Sequence, residues 1–92
     1  MIVRILSEGQ YRLDDAAFAA VHEIDDRVQA AADANDGPAF EAALAELQEA
    51  ITSRGVELAP DEFEGSDAVV PARGTTLEEA RDLLSSEGLI PN

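Results

Sequence analysis

The stretch most like a catalytic motif is His22-Glu23-Ile24-Asp25-Asp26. It has the form of a helical zinc motif, H-E-x-x-H, with Asp in the last place. That chemistry needs two ligands one helical turn apart and a third from elsewhere. His22 and Asp26 share a helix face, but it reads as the solvent side, and His22 is the single His of the chain. The pattern reads as polar helix surface. A second candidate is the acidic run Asp61-Glu62-Phe63-Glu64-Gly65-Ser66-Asp67, which invites comparison with a calcium loop. It lacks the alternating oxygen ligands and the closing Glu of an EF-hand. It reads as a solvated charge run.

Nucleophilic chemistry has little support. Ser7, Ser53, Ser66, Ser85 and Ser86 share one His between them, and none lies in a G-x-S-x-G turn. Carboxylates are so numerous that no pair of them is informative. An acid/base pair needs a cleft that drives two pKa values apart, and no stretch marks one. There is no glycine-rich phosphate loop. The expectation is a protein without enzymatic activity and without a cofactor or metal.

Composition sets the class of partner. Twenty carboxylates face six basic residues, all of them Arg, giving a net charge of -14. Such a field repels phosphate backbones and anionic headgroups, which disfavours nucleic acid and direct membrane insertion. A Lys-free chain rich in Ala, Arg, Asp and Glu fits a high-GC genome or a salt-adapted cytosol. The functional alternative is a partner with a basic face. Cysteine is absent, so disulfides and thiolate metal sites are excluded. The opening Met1-Ile2-Val3-Arg4-Ile5-Leu6 is too short for a signal peptide or a membrane span and carries a charge in its middle. The expected location is the cytoplasm.

The elements that must position any site follow from pattern. Ninety-two residues make one domain, 1–92, with a thin core. Residues 2–6 are β-branched and alternate weakly, which favours a strand. Ser7-Glu8-Gly9 is a turn signal, and Gly9 tolerates positive φ. Residues 10–13 return as a second strand, with Tyr11 and Leu13 on one face and Gln10 and Arg12 on the other. A two-stranded hairpin is marginal alone and needs a surface to pack on.

That surface is a helical hairpin over residues 15–54. Asp14-Asp15 supplies an N-cap and suits the positive helix end. The first helix, 15–34, carries an apolar stripe of Ala17, Val21, Ile24, Val28 and Ala31. Phe18 lies at its edge, and Glu23 and Arg27 are spaced for an i,i+4 pair. Asn35-Asp36-Gly37-Pro38 ends this helix and starts the next, with Asp36 as N-cap and Pro38 in the first turn. The second helix, 38–54, carries Phe40, Leu44, Leu47 and Ile51, flanked by Ala43 and Ala50. Gly55 is the expected C′ residue. At these lengths the far end of the hairpin is expected to project beyond the sheet. There Ala30-Ala31-Ala32 either lets the helices approach closely or leaves a shallow groove.

Beyond the hairpin, Val56-Glu57-Leu58 alternates briefly before Pro60. Residues 57–67 hold five carboxylates and no base, and read as a solvated loop. Ala68-Val69-Val70 is a short third strand. Thr76 and Glu79 have capping-box spacing at the start of a third helix, with Leu77, Ala80, Leu83 and Leu84 on its apolar face and Gly88 at its end. Leu89-Ile90-Pro91 is an apolar tail whose outlet is the core or a neighbouring chain. The expected fold is α+β: an N-terminal β-hairpin with a short third strand, packed on a long antiparallel helical hairpin, plus a short C-terminal helix.

The first fifteen residues, Met-Ile-Val-Arg-Ile-Leu-Ser-Glu-Gly-Gln-Tyr-Arg-Leu-Asp-Asp, resemble the opening of the PspA-associated protein family. The layout is similar along the whole chain, down to the Gly88-Leu89-Ile90-Pro91 tail. Glu8, Gly9, Gln10, Tyr11 and Arg12 carry the specific part of the likeness. The resemblance implies a non-enzymatic accessory protein of a phage-shock membrane-stress system, encoded beside a PspA-like coiled-coil protein and brought to the membrane through that partner. It supplies no catalytic residues. The contact is expected at Glu8, Gly9, Gln10, Tyr11 and Arg12, with Tyr11, Arg12 and the exposed edge of the sheet foremost. The competing reading is a self-associating structural protein, in which the helical hairpin pairs with its own copy as a four-helix dimer.

Overall fold

A computed structural model describes residues 1–59, 65–82, 84 and 89–90. Along the chain come β1 (Ile2–Ile5), β2 (Gly9–Arg12), α1 (Asp15–Asp33), α2 (Gly37–Arg54), β3 (Val56–Glu57), β4 (Ala68–Val70) and α3 (Leu77–Ala80). The expected α+β architecture is the one observed. The sheet has four strands in the order β3-β2-β1-β4. β1 pairs antiparallel with β2 and parallel with β4, and β2 pairs antiparallel with β3. β3 is the strand that pattern does not disclose. At two residues it is too short to show a period, and its pairing with Tyr11 and Arg12 is what makes it a strand.

Alternation along the strands decides which face meets the helices. Val3, Ile5, Tyr11 and Val70 turn into the cluster shared with the helices, and Val3, Ile5 and Val70 are fully buried. Ile2 and Gln10 occupy the opposite face and are also buried. Part of their cover is the approach to β4. Gln10 Nε2 donates to Ser66 Oγ at 2.9 Å, and Asp67 exchanges two hydrogen bonds with Ile2. Asp67 is therefore a structural acceptor rather than a member of an idle charge run, and Glu57 is a strand residue. Asp61, Glu62, Phe63 and Glu64 lie outside the described residues, and with them most of the run compared with a calcium loop.

The two long helices are set by their ends. Asp14 Oδ1 accepts from Ala17 N at 2.8 Å, and Asp36 Oδ1 accepts from Ala39 N at 3.1 Å. Each aspartate satisfies one of the free donors of a first turn. Asn35 takes φ of 54°, while its N–H reaches Ala32 O and the Asp36 N–H reaches Ala31 O. This is a Schellman ending, with Asn in the left-handed position that Gly more often fills. One four-residue stretch thus closes α1 and opens α2, and the helices return antiparallel.

Three expectations for the helices need correction. Gly55 is not a left-handed C′ residue. It is the C-cap, in extended conformation with φ −86° and ψ 167°. Glycine is required there by close approach: a Cβ would lie 2.7 Å from Ile51 O and 2.9 Å from Leu13 Cδ2. Arg27 does not rely on Glu23 but reaches across to α2, where it holds Glu46 through two bonds of 2.9 and 2.7 Å. A fork-to-carboxylate match across the hairpin is geometrically better than a flexible pair on one helix. The stripe of α1 also turns. Ala17, Val21, Val28 and Ala31 are buried as expected, but Asp25 and Ala32 are buried with them and Ile24 is only half-buried.

The far end of the hairpin does not stand free. α3 is a single described turn, opened by the expected capping box between Thr76 and Glu79, and it buries Leu77 and Ala80. Arg81 reaches back to Asn35 Oδ1 at the hairpin turn. Gln48, buried within α2, donates to Pro71 O at 2.8 Å, which ties the end of β4 to the same helix. Leu83 and Gly88 lie outside the described residues, while Leu84 packs against the core. Of the apolar tail, Leu89 and Ile90 are buried in the core, and Pro91 lies outside the described residues.

Candidate partner-binding surface

The stretch Glu8 to Arg12 begins in a tight turn. Glu8 N donates to Ile5 O at 3.0 Å, with Ser7 at φ 72° and Gly9 at φ 134°. Both values lie where L side chains are strained, and Gly9 meets the demand without cost while Ser7 does not. The turn is held from outside. Glu8 Oε2 pairs with Arg73 Nε at 3.0 Å, and Arg73 comes from the loop between β4 and α3. Residues far apart in sequence, 8 and 73, are thus joined at one end of the sheet.

The five residues are divided by the sheet. Glu8 and Arg12 are exposed, Gly9 is half-buried, and Gln10 and Tyr11 are buried. Tyr11 lies opposite Val3 on one side and Glu57 on the other. Burial pushes its hydroxyl above the usual range; the charges of Glu57 and Glu8 add to the rise, and Arg73 opposes it. Gln10 is held by Ser66. The expectation that Tyr11 and Arg12 lie along an exposed sheet edge is therefore corrected. β2 is an interior strand, because β3 pairs along it, and the edges of the sheet are β3 and β4. The side chains a partner meets directly in this stretch are Glu8 and Arg12. Beside them stand Val56, 68% exposed and paired with Arg12, and Leu6, 39% exposed near Glu8. Val56 was visible only as part of a short alternation. Arg73 had no sequence signal, since only the fold brings it to Glu8.

A second surface lies on the helical hairpin. Arg27, Ala31, Ala39, Ala42, Ala43 and Glu46 line a shallow groove of about 320 Å³ between α1 and α2. Ala31 and Ala32 are buried, so at that end the small side chains serve close approach of the helices. The Arg27–Glu46 pair lowers the Glu46 carboxyl below its usual range through its hydrogen bonds. Where α3 meets the hairpin turn, Asn35, Gly37, Glu41, Thr76, Leu77, Glu78 and Arg81 surround an open cleft of about 410 Å³.

The zinc-like pattern resolves differently. His22 Nδ1 lies 3.9 Å from Asp26 Oδ2, and its ring packs on Phe18 with centroids 5.7 Å apart. The His22 side chain is only 23% exposed, so it belongs to the edge of the core more than to solvent. Asp25 between them has turned inward, and both of its oxygens accept main-chain N–H groups. Among the described residues no cluster of three or more His, Cys, Asp or Glu is placed to hold a metal. No helix among the described residues is long and apolar enough to cross a membrane.

Comparison with known proteins bears on the whole chain. No curated protein and no solved structure matches it. A family model described as PspA-associated protein matches residues 1–92, which includes the Glu8-to-Arg12 turn, both long helices and the docked tail. The chain belongs to the PspA-associated protein family.

Proposed function

We propose that the protein is a non-enzymatic accessory component of a PspA-like, phage-shock membrane-stress system and acts by binding a coiled-coil partner. The family match over residues 1–92 carries this reading, because the family name implies an association with PspA. The geometry is compatible in two respects. Of the exposed residues in the most family-like segment, Arg12 is paired with the exposed Val56, and Glu8 lies at the other end of β2 beside Arg73. An exposed apolar side chain beside a cationic one suits a helical partner that carries acidic residues next to an apolar stripe. With a net charge of -14, encounter is steered toward basic faces and weakens as salt rises. Recruitment to a membrane follows from the partner in this reading.

The test is a calorimetric titration against a PspA-like coiled-coil protein, in low and high salt. Saturable binding that Arg12→Glu weakens supports both the function and the surface. Binding that Arg12→Glu leaves unchanged keeps the function and moves the surface elsewhere. No binding at either salt concentration removes the proposal. The Ala-lined groove between α1 and α2 favours one competitor, self-association through the helical hairpin. Light scattering separates it: a stable dimer whose Tm rises with its own concentration would support self-assembly.

A further inference from the structure

The one fully buried carboxylate among the described residues belongs to Asp25, 1% exposed in the middle of α1. Its two oxygens are divided between two consecutive main-chain donors. Leu89 N donates to Oδ1 at 3.1 Å, and Ile90 N donates to Oδ2 at 3.0 Å. The side chains of the same two residues are buried in the common core. A carboxylate that accepts two successive amides fixes both the position and the direction of the segment it holds. We propose that Asp25 and the apolar seat around it form a latch for the C-terminal segment, and that the latch opens while the sheet and the helical hairpin remain folded.

The placement of the contacts supports independent opening. Leu89 and Ile90 hydrogen-bond to Asp25, not to a strand or to a helix ladder. Among the described residues, the regular element between β4 and these residues is α3, one turn held by Leu77, Ala80 and the Arg81–Asn35 bond. Release of Leu89 and Ile90 therefore gives up their two bonds to the Asp25 side chain and no main-chain bond of the sheet or of the α1 and α2 ladders among the described residues. The two states also differ in how Asp25 is solvated. In the closed state the carboxylate is taken out of water and compensated by two amides. In the open state water replaces them, so the two amides offset only part of the desolvation that closing imposes on the carboxylate. What closes the latch is the burial of Leu89 and Ile90, and a segment held by two apolar side chains opens more readily than the domain unfolds.

An open latch presents a seat of defined chemistry: an anionic acceptor pair within an apolar surround. Its ligand class is a chain segment with two successive free N–H groups and two aliphatic side chains, of which the chain's own Leu89–Ile90 is the resident example. The inference does not rest on the proposed coiled-coil partner.

Native-state amide exchange on the full chain is the experiment. The Leu89 and Ile90 amides are expected to exchange at least about 100-fold faster than those of Leu47 and Ile51 in α2, with a shallower dependence on denaturant. Asp25→Ala is expected to accelerate Leu89 and Ile90 a further tenfold or so, because both amides lose their acceptor in the closed state. The α2 amides should change far less. Ile90→Ala should give the same pattern through the apolar half of the latch, and it serves as the second variant should Asp25→Ala fail to fold. Exchange of Leu89 and Ile90 at the rate of Leu47 and Ile51 in the unmodified protein would overturn the proposal, since the segment would then open only with the whole domain.

Discussion

Gly55→Ala tests the packing at the seam where α2 meets the sheet. Gly55 has φ −86° and ψ 167°, a conformation that alanine adopts freely. Judged on backbone alone, the change should stabilise the protein by about 0.4–1 kcal/mol, because alanine restricts the unfolded chain. Packing argues the other way. The added methyl would lie 2.7 Å from Ile51 O, 2.9 Å from Leu13 Cδ2 and 3.2 Å from Tyr11 Cβ. The Leu13 methyl can rotate away, but Ile51 O is main chain and already accepts the Gly55 N–H at 2.9 Å. Relief requires the last turn of α2 to move from β2, and overpacking of this kind costs about 1–3 kcal/mol. The steric effect wins, leaving a net loss of about 1–2 kcal/mol. At about 4–8 °C per kcal/mol for a domain of this size, Tm should fall by roughly 5–15 °C. Urea unfolding should show a lower midpoint at unchanged m. Gly37→Ala is the control: a Cβ there meets nothing within 4 Å, so it should be neutral or slightly stabilising. A Gly55→Ala protein as stable as the parent would refute the close-approach argument and leave the choice of glycine unexplained.

Two further outcomes follow from charge. With twenty carboxylates against six bases, self-repulsion should relax as salt screens it, so Tm should rise from low to high NaCl; a flat or falling curve would show that repulsion is not a significant term. Asp25 adds a pH dependence of definite sign. Burial holds its carboxyl above the usual range, the Ile90 and Leu89 amides and the nearby His22 pull the other way, and Asp26 adds to the rise. The folded protein therefore binds this proton more tightly than the unfolded chain does, so the stability tied to Asp25 is present at lower pH and is lost as pH rises through the folded value. Urea midpoints compared for the parent and Asp25→Ala between about pH 7 and about pH 4 should show the parent's relative stability growing toward acid; a relative stability that shrinks toward acid would mean that the two amides outweigh burial.

Much of the fold was legible because each element announces its own ends. Asp14, Asp36 and Thr76 cap three helices through contacts within three residues of themselves, and such local chemistry survives in a sequence read alone. The alternation that divides Tyr11 and Leu13 from Gln10 and Arg12 is equally local. What was not legible depends on partners distant in the chain. β3 exists because Val56 and Glu57 meet Arg12 and Tyr11, and a two-residue strand has no period of its own. The Glu8–Arg73 pair and the Gln48–Pro71 bond span loops that no pattern predicts. The interior position of β2 was hidden for the same reason: without β3, β2 looks like an edge.

Asp25 shows how far that limit reaches. On hydrophobicity alone Ile24 belongs in the stripe of α1 and Asp25 belongs outside it. A straight helix offers both positions to neighbours, since they are only about 100° apart around the axis. The choice is made by what covers each side. Val21 and Val28 go into the common core, while Leu89 and Ile90 close over Asp25 and bring two main-chain donors that an isoleucine could not satisfy. A buried carboxylate in a helix is thus the mark of a segment with unpaired amides, in this case residues 89 and 90. The tail in turn explains why the stripe of α1 departs from its heptad-like spacing. The acidic residue least expected in the core is the one that joins the middle of the helical hairpin to the C-terminal segment.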